Sequence, residues 1–410
     1  MTTDTLTLGV FEHSGQDYLF DGRASLITIA RPGQGKSQAH VIRNLLRLEA
    51  PAIVLDVKPE IFDATQDWRQ ANVGPVQRFE PQDRKGSLHF NPLDGVRADP
   101  VDAYEDIGRI VQLLMVPRDK AGAKSFWESR AAQLLTAAIY DVCLNPDLQP
   151  SKRRDMPAVV DWFSVSETQF AKQVQRLQAS PYRPLARLGN QLDGLDPDTQ
   201  SNIFETVLSH IQVWGSPQLE PLVDQTSIDL GQFRDQNGTL YLCITETELA
   251  AYRPLIRALL GHVLHTLKED KDRWDLAPVT FFLDEFPQLG YMEEVEQMVA
   301  LGRQPGLRLW FFAQSLGQIE QAYGDADRLL DMLALRAFMS PTGSLAEKVS
   351  KELGTARNFF TSAEQPLASP QQLSGPEYAD KVIVLEGGRR PARLEKVMAF
   401  NDPELVHRLP

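Results

Sequence analysis

A chain of 410 residues, 42% apolar and 24% charged, is long enough for two or three domains, or for one large core with an insertion, and has an ordinary globular composition. No apolar run approaches the ~18 to 20 residues that cross a bilayer, and Met1–Gly9 is polar and Thr-rich, so neither a membrane anchor nor a signal peptide is expected. The formal net charge of −13 excludes a broad basic surface wrapped round duplex DNA, though not a basic channel formed locally.

In chain order, the elements begin with a β lead-in, Thr5–Val10 and Asp17–Phe20, around a turn at Ser14-Gly15. Leu26, Ile27 and Ile29 read as a buried strand. It enters the turn Ala30-Arg31-Pro32-Gly33-Gln34-Gly35-Lys36-Ser37, and Val41, Ile42, Leu45, Leu46 and Leu48 then recur at helical spacing. Strand, Gly-rich turn and helix is the setting of a phosphate-binding P-loop. Arg31, Pro32, Gly33, Gln34 and Gly35 would shape a concavity of backbone N–H groups, and the helix N-terminus adds partial positive charge. Lys36 would reach the β- and γ-phosphates and the Ser37 hydroxyl would hold Mg²⁺. One departure is Ala30, where the pattern G-x-x-x-x-G-K-[ST] wants Gly; Ala is small enough for a modest backbone adjustment.

Ala52–Asp56 reads as a second buried strand, Val76–Phe79 as a third, and Leu88–Leu93 as an extended segment. From Val101 to Ile211 the periodicity is helical, over Ala103–Met115, Ser125–Leu144, Ser166–Ala179 and Pro197–Val213. The basic run Lys152-Arg153-Arg154 falls in a loop over Pro150–Pro157. Strands return at Thr239–Ile244, Pro278–Leu283, Leu307–Ala313 and Ala334–Met339. They alternate with helices at about 252–269, Met292–Arg303, Leu316–Tyr323 and Ser344–Leu353. Phe359–Gly375 reads as a loop, and Lys381–Leu385 with Ala392–Val397 as an edge hairpin. The expected fold is α/β: a P-loop core with a mostly parallel sheet and an inserted all-α domain, organised as residues 1–99, 100–213 and 214–410. Cys143 and Cys243 are too few for a disulfide framework and read as reduced core thiols of a cytoplasmic protein. His262 and His265 read as structural, and no Cys/His cluster suggests zinc.

The strand Val279–Leu283 ends in Asp284-Glu285. A P-loop ATPase needs one carboxylate near Mg²⁺ and one to orient or deprotonate the attacking water, here Asp284 and Glu285 in that order. Gln314 ends the next apolar strand, at the sheet edge that faces the ligand crevice, in position to sense the γ-phosphate. Arg303 falls at a helix end. A phosphoryl-transfer site is commonly completed by an Arg from a neighbouring subunit; the residues alone leave a solvent-facing Arg as the plain reading.

With these pieces together, residues 25–355 resemble the type IV secretion coupling proteins, ring ATPases of conjugation and secretion related to FtsK-like DNA translocases. The resemblance rests on an ordered set: Ala30–Ser37; Val54–Glu60; Phe90-Asn91-Pro92-Leu93; Phe126-Trp127; Leu283-Asp284-Glu285-Phe286-Pro287; Gly302-Arg303 with Gly306–Leu309; and Ala313-Gln314-Ser315. It implies a RecA-like motor with an inserted all-α domain, ATP hydrolysis with Mg²⁺, and a hexamer with sites between subunits. It further implies that Arg303 is a trans-acting arginine finger and Gln314 a coupling glutamine. Lys36 and Glu285 would join them as catalytic residues, with Ser37 and Asp284 at the metal. The implied partners are further copies of the chain, single-stranded DNA or a nucleoprotein or effector cargo, and secretion machinery at the inner membrane. Members usually begin with a transmembrane domain. This chain is therefore expected to be a naturally soluble form, a cytoplasmic fragment, or a relative that reaches the membrane through partners. Arg183, Arg187 and the Lys152–Arg154 run are the only basic candidates in the helical insertion, and a solvated surface is the plain reading of each.

The leading expectation is an ATPase that recruits or drives DNA or effector cargo into a type IV secretion channel. An ATP-binding cargo adaptor that does not translocate, and a cytosolic FtsK-like DNA translocase, are the alternatives.

Overall fold

The computed structural model describes residues 4–115, 126–145, 152–301, 306–357 and 364–410. The strands are β1 (Leu6–Val10), β2 (Asp17–Phe20), β3 (Leu26–Ala30), β4 (Ala52–Asp56), β5 (Val76–Phe79), β6 (Thr239–Cys243), β7 (Val279–Leu283), β8 (Leu307–Ala313), β9 (Leu335–Met339), β10 (Thr355–Arg357), β11 (Glu364–Pro366), β12 (Lys381–Glu386) and β13 (Ala392–Glu395). Every residue of β3, β4, β6, β7 and β8 is buried. A continuous apolar run is what a central parallel strand needs, because both of its faces are covered.

The main sheet has 11 strands in the order β2-β1-β13-β12-β9-β3-β8-β7-β4-β6-β5. From β9 through β6 the neighbours run parallel. From β9 out to β2 they run antiparallel. The chain is thus α/β with a mostly parallel centre. The order places β8 between β3 and β7, and the carboxyl ends of β3, β8, β7 and β4 open at the same edge of the sheet.

The chain divides into two compact units. One comprises Met1–Gln77, Leu230–Glu246 and Thr266–Pro410 and holds most of the sheet. The other comprises Arg78–Asp229 and Thr247–His265. Every regular element among the described residues from Pro100 to Ile211 is a helix. Among the described residues, no helix is long and apolar enough to cross a membrane.

The helix after the β3 turn runs over Ser37–Ile42 and continues as Arg43–Leu45. Arg43 and Arg47 lie one turn apart along this stretch. Arg43 reaches Asp17 at 2.7 Å and Asp402 at 2.8 Å; Arg47 reaches Asp17 at 2.6 Å and Asp402 at 2.9 Å. At the other end, buried Arg69 donates to the carbonyls of Leu45 (2.9 Å), Leu48 (2.8 Å) and Ala50 (2.8 Å). The Leu45 carbonyl is one that the helix C-terminus leaves unpaired, and the other two belong to the turn that follows it. Burial pushes the Arg69 pKa down to about 10, which leaves it charged at neutral pH.

Several elements differ from the sequence reading. Helices Met156–Phe163 and Arg183–Asp193 both carry Pro in their first turn, where its missing N–H costs nothing, and that Pro masked their periodicity. The helix expected from about 252 begins at Glu246 and runs through Pro254. Within the supposed loop Phe359–Gly375, Glu364–Pro366 pairs with Thr355–Arg357, and Pro370–Leu373 forms a short helix started by a capping box at Ser369.

Candidate functional site

The turn after β3 is shaped by two glycines, Gly33 at φ +75° and Gly35 at φ +84°. That left-handed region is open to glycine at no steric cost. Ala30 is the last residue of β3 and is not among the positive-φ positions, so the turn has no conformational need for glycine there. A Cβ at Gly35 would also overlap the Met398 thioether, whose Sδ would lie 2.7 Å away. Arg31, Pro32 and Gly33 are exposed, Gln34, Gly35 and Ser37 half-buried, and Lys36 buried.

The Lys36 ammonium donates to the Ala30 carbonyl at 3.0 Å and to Glu285 Oε1 at 3.3 Å. The Gln314 side-chain amide donates to the same Glu285 oxygen at 2.8 Å. Gln314 is itself held where its backbone N–H meets Gln318 Oε1 at 2.9 Å. Because β8 lies between β3 and β7, the side chain just beyond its end reaches across to the end of β7. Asp284 and Glu285 are consecutive, and a continuing strand would point them to opposite faces. Glu285 instead sits at φ +48°, ψ +33°. That left-handed turn costs a non-glycine residue roughly 1–2 kcal/mol and re-aims its carboxylate at Lys36 and Gln314. Arg303 lies outside the described residues.

Two buried oxygens here lack a hydrogen-bond partner: Asp284 Oδ1 and Glu285 Oε2. Burial and the neighbouring Glu285 charge push Asp284 up to about 6, against the pull of Lys36. Orphaned carboxylate oxygens fit a hard cation that takes oxygen ligands and keeps its own waters, and the Ser37 hydroxyl stands at the start of the helix after the turn. Sequence reasoning gave no role to Asp56. It ends β4 beside β7, in register Leu55↔Leu283, and is fully buried. Its carboxylate accepts the backbone N–H groups of Lys58, Ile61 and Phe62, and burial pushes it up to about 7. The signal was an apolar strand closed by a lone Asp before a helix start.

His40, in the first turns of the helix, is also buried. Its Nε2 donates to the Leu8 carbonyl (3.0 Å) and its Nδ1 accepts from the Thr28 hydroxyl (2.9 Å). Trp310 Nε1 donates to that hydroxyl at 3.0 Å. Burial pushes the imidazole down to about 3 from 6.5. The unfolded chain therefore takes up a proton below pH 6.5 that the folded chain refuses until about pH 3. The His40 contribution to stability is full above pH 6.5 and lost as pH falls. Asp56 and Asp284, both raised, act with the opposite sign, so the informative quantity is a difference. The urea midpoint of wild type is expected to fall relative to His40→Gln between about pH 6.5 and 4; parallel curves would count against a buried neutral His40.

A family model described as type IV secretory system conjugative DNA transfer matches residues 4–361. Protein VirD4 of Rhizobium radiobacter is 25% identical over 417 residues, covering 95% of this chain and 59% of that protein. The conjugal transfer protein TraG of Escherichia coli is 24% identical over 370 residues, covering 82% of this chain and 56% of TraG. The chain thus spans less than two thirds of the length of these relatives. A solved structure of the plasmid coupling protein TrwB with the ATP analogue ADPNP superposes with a TM-score of 0.69 at 18% identity, covering 92% of this chain and 86% of that one. The fold is therefore the RecA-like P-loop architecture of that structure.

Proposed function

Since the chain belongs to the type IV secretory system conjugative DNA transfer family, we propose that it is the motor part of a coupling protein, hydrolysing ATP to recruit and drive DNA, nucleoprotein or effector cargo into a secretion channel. The observation that carries this reading is the convergence of Lys36 and Gln314 on one oxygen of Glu285, at the strand ends beside the two-glycine turn. TrwB has also been crystallised with ADP and Mg²⁺, which supports the same ligands here.

In the proposed reaction, Lys36 exchanges Glu285 for the β- and γ-phosphate oxygens. Glu285, released from the ion pair, takes the proton of the water that attacks the γ-phosphorus as the bond to the β-phosphate oxygen breaks. Mg²⁺ held by Ser37 and Asp284 would neutralise charge developing on the phosphate oxygens. Gln314, bonded to Glu285 before nucleotide arrives, reports which partner Glu285 has. The helical block at 100–213 is the inserted domain between the two motor segments, 1–99 and 214–410. The working form is a ring, a hexamer, in which Arg303 enters the site of the next subunit, at the inner membrane through partner proteins.

The test is steady-state phosphate release against protein concentration, with and without DNA. Turnover that rises cooperatively with concentration and with DNA supports the motor. Low, linear, DNA-indifferent turnover favours the adaptor reading. Arg303→Ala mixed into wild type is expected to lower turnover by more than dilution, because each variant subunit disables a neighbour's site; loss in strict proportion to dilution would argue against a shared site.

A further inference from the structure

We infer that the chain just beyond β13, with Met398 and Phe400, forms the nucleoside end of the nucleotide site, a shelf that takes a purine by its face. This assignment rests on the nucleotide-binding reading above and names what meets the base.

The sheet gives a bound nucleotide its direction. Glu285 and Gln314 follow β7 and β8, which both lie on one side of β3. A γ-phosphate that meets Glu285 therefore points to that side, and the nucleoside leaves the loop on the other. There the strand order is β9, β12, β13. β9 runs parallel to β3, β12 antiparallel to β9, and β13 antiparallel to β12. β13 thus runs with β3, and its carboxyl end opens at the edge where a ligand of such a sheet sits.

The chain leaving β13 comes into contact with the glycine turn. The Met398 thioether lies against Gly35, the residue before Lys36. Ala399–Asn401 forms a single turn packed on the Ser37–Ile42 helix, with Ala399 buried. Asp402 follows, and its ion pairs with Arg43 and Arg47 tie the segment to the stretch that begins at the loop. Between these anchors the Phe400 ring is 52% exposed. A large ring left in water on an anchored turn is unrealised burial. An aromatic face beside an adaptable thioether suits a flat ring, and every purine has a face to stack. Neither side chain offers a hydrogen-bond donor to a base edge, so the shelf holds adenine and guanine alike.

Gln38 supplies an independent sign. It follows Ser37, and its amide oxygen is buried with no hydrogen-bond partner among the described residues. A buried acceptor without a donor is costly, and a ribose hydroxyl is a donor of the right kind.

The experiment titrates the full chain with ADPNP, GDPNP and inorganic tripolyphosphate, each with Mg²⁺, by calorimetry. Tripolyphosphate carries the phosphates without the nucleoside. Phe400→Ala is expected to weaken ADPNP and GDPNP by the same factor, at least about fivefold, and tripolyphosphate not at all. Phe400→Trp should bind the nucleotides at least as tightly as wild type. Gln38→Met should weaken both nucleotides and again spare tripolyphosphate. Because the Phe400 ring is half exposed, thermal melting of Phe400→Ala should match wild type, which separates stacking from folding damage. Wild-type nucleotide affinity in Phe400→Ala would overturn the proposal. So would a parallel loss of tripolyphosphate, since the segment would then act only by shaping the phosphate loop. Loss for one purine alone would overturn recognition by the face. Wild type that binds neither nucleotide nor tripolyphosphate would remove the phosphate-loop reading and the shelf with it. Tripolyphosphate bound as tightly as ADPNP would leave the loop reading standing and overturn the shelf alone.

Discussion

Lys36→Ala is expected to reduce ATP turnover to background in a phosphate-release assay. The ammonium is the only cation hydrogen-bonded to Glu285 among the described residues, and it stands at the N-terminus of the helix after the glycine turn. Its removal takes away the charge that meets the phosphates and leaves a buried carboxylate held by Gln314 alone. An unpaired buried charge costs several kcal/mol, so the variant loses the ion pair that holds Glu285 as well as the charge that meets the phosphates. Turnover above about one hundredth of wild type would remove the phosphate-binding role from this loop. Circular dichroism should show an unchanged fold, because the Lys36 ammonium bonds only to Ala30 and Glu285 among the described residues.

Glu285→Gln is expected to separate binding from chemistry. Gln matches Glu in shape and can still accept from Lys36 and Gln314, so nucleotide should bind with near wild-type affinity. It cannot take the proton from water, and general-base loss typically costs about 10²- to 10⁴-fold in rate. A fluorescent ATP analogue measures the first quantity and single-turnover hydrolysis the second. Loss of both together would make Glu285 a structural partner of Lys36 and nothing more.

Much of this geometry was legible because it is local. The order strand, glycine turn, Lys36-Ser37, helix is a run of adjacent residues, and so is an apolar strand ending in Asp284-Glu285. Position at a strand end also singled out Gln314. What the residues did not reveal was non-local or conformational. The left-handed turn at Glu285 has no signal in the residue type, since glycine or asparagine would be expected there. The packing of Met398 on Gly35 joins residues more than three hundred positions apart, so neither explains the other until the chain is folded. Asp56 stands in one of the segments that carry the family resemblance, yet its burial depends on β4 lying beside β7. The helices at Met156 and Arg183 were obscured by local Pro, which reads as a break unless it is placed in the first turn.

The Arg43 and Arg47 clamp has a consequence for biosynthesis. Its acidic partners, Asp17 and Asp402, lie near opposite ends of the chain, and both grip the helix that follows the glycine turn. Strand β13, which pairs with β1, and Met398, which packs on Gly35, also lie more than three hundred and fifty residues after the glycine turn. At roughly 5–20 residues per second, translation puts roughly 20–80 s between Asp17 and Asp402. A ribosome-bound chain therefore has its Lys36 turn long before it has what anchors that turn. A prematurely terminated product, lacking Asp402 and β13, would carry the whole Lys36–Glu285 sequence without the latch that holds it in place.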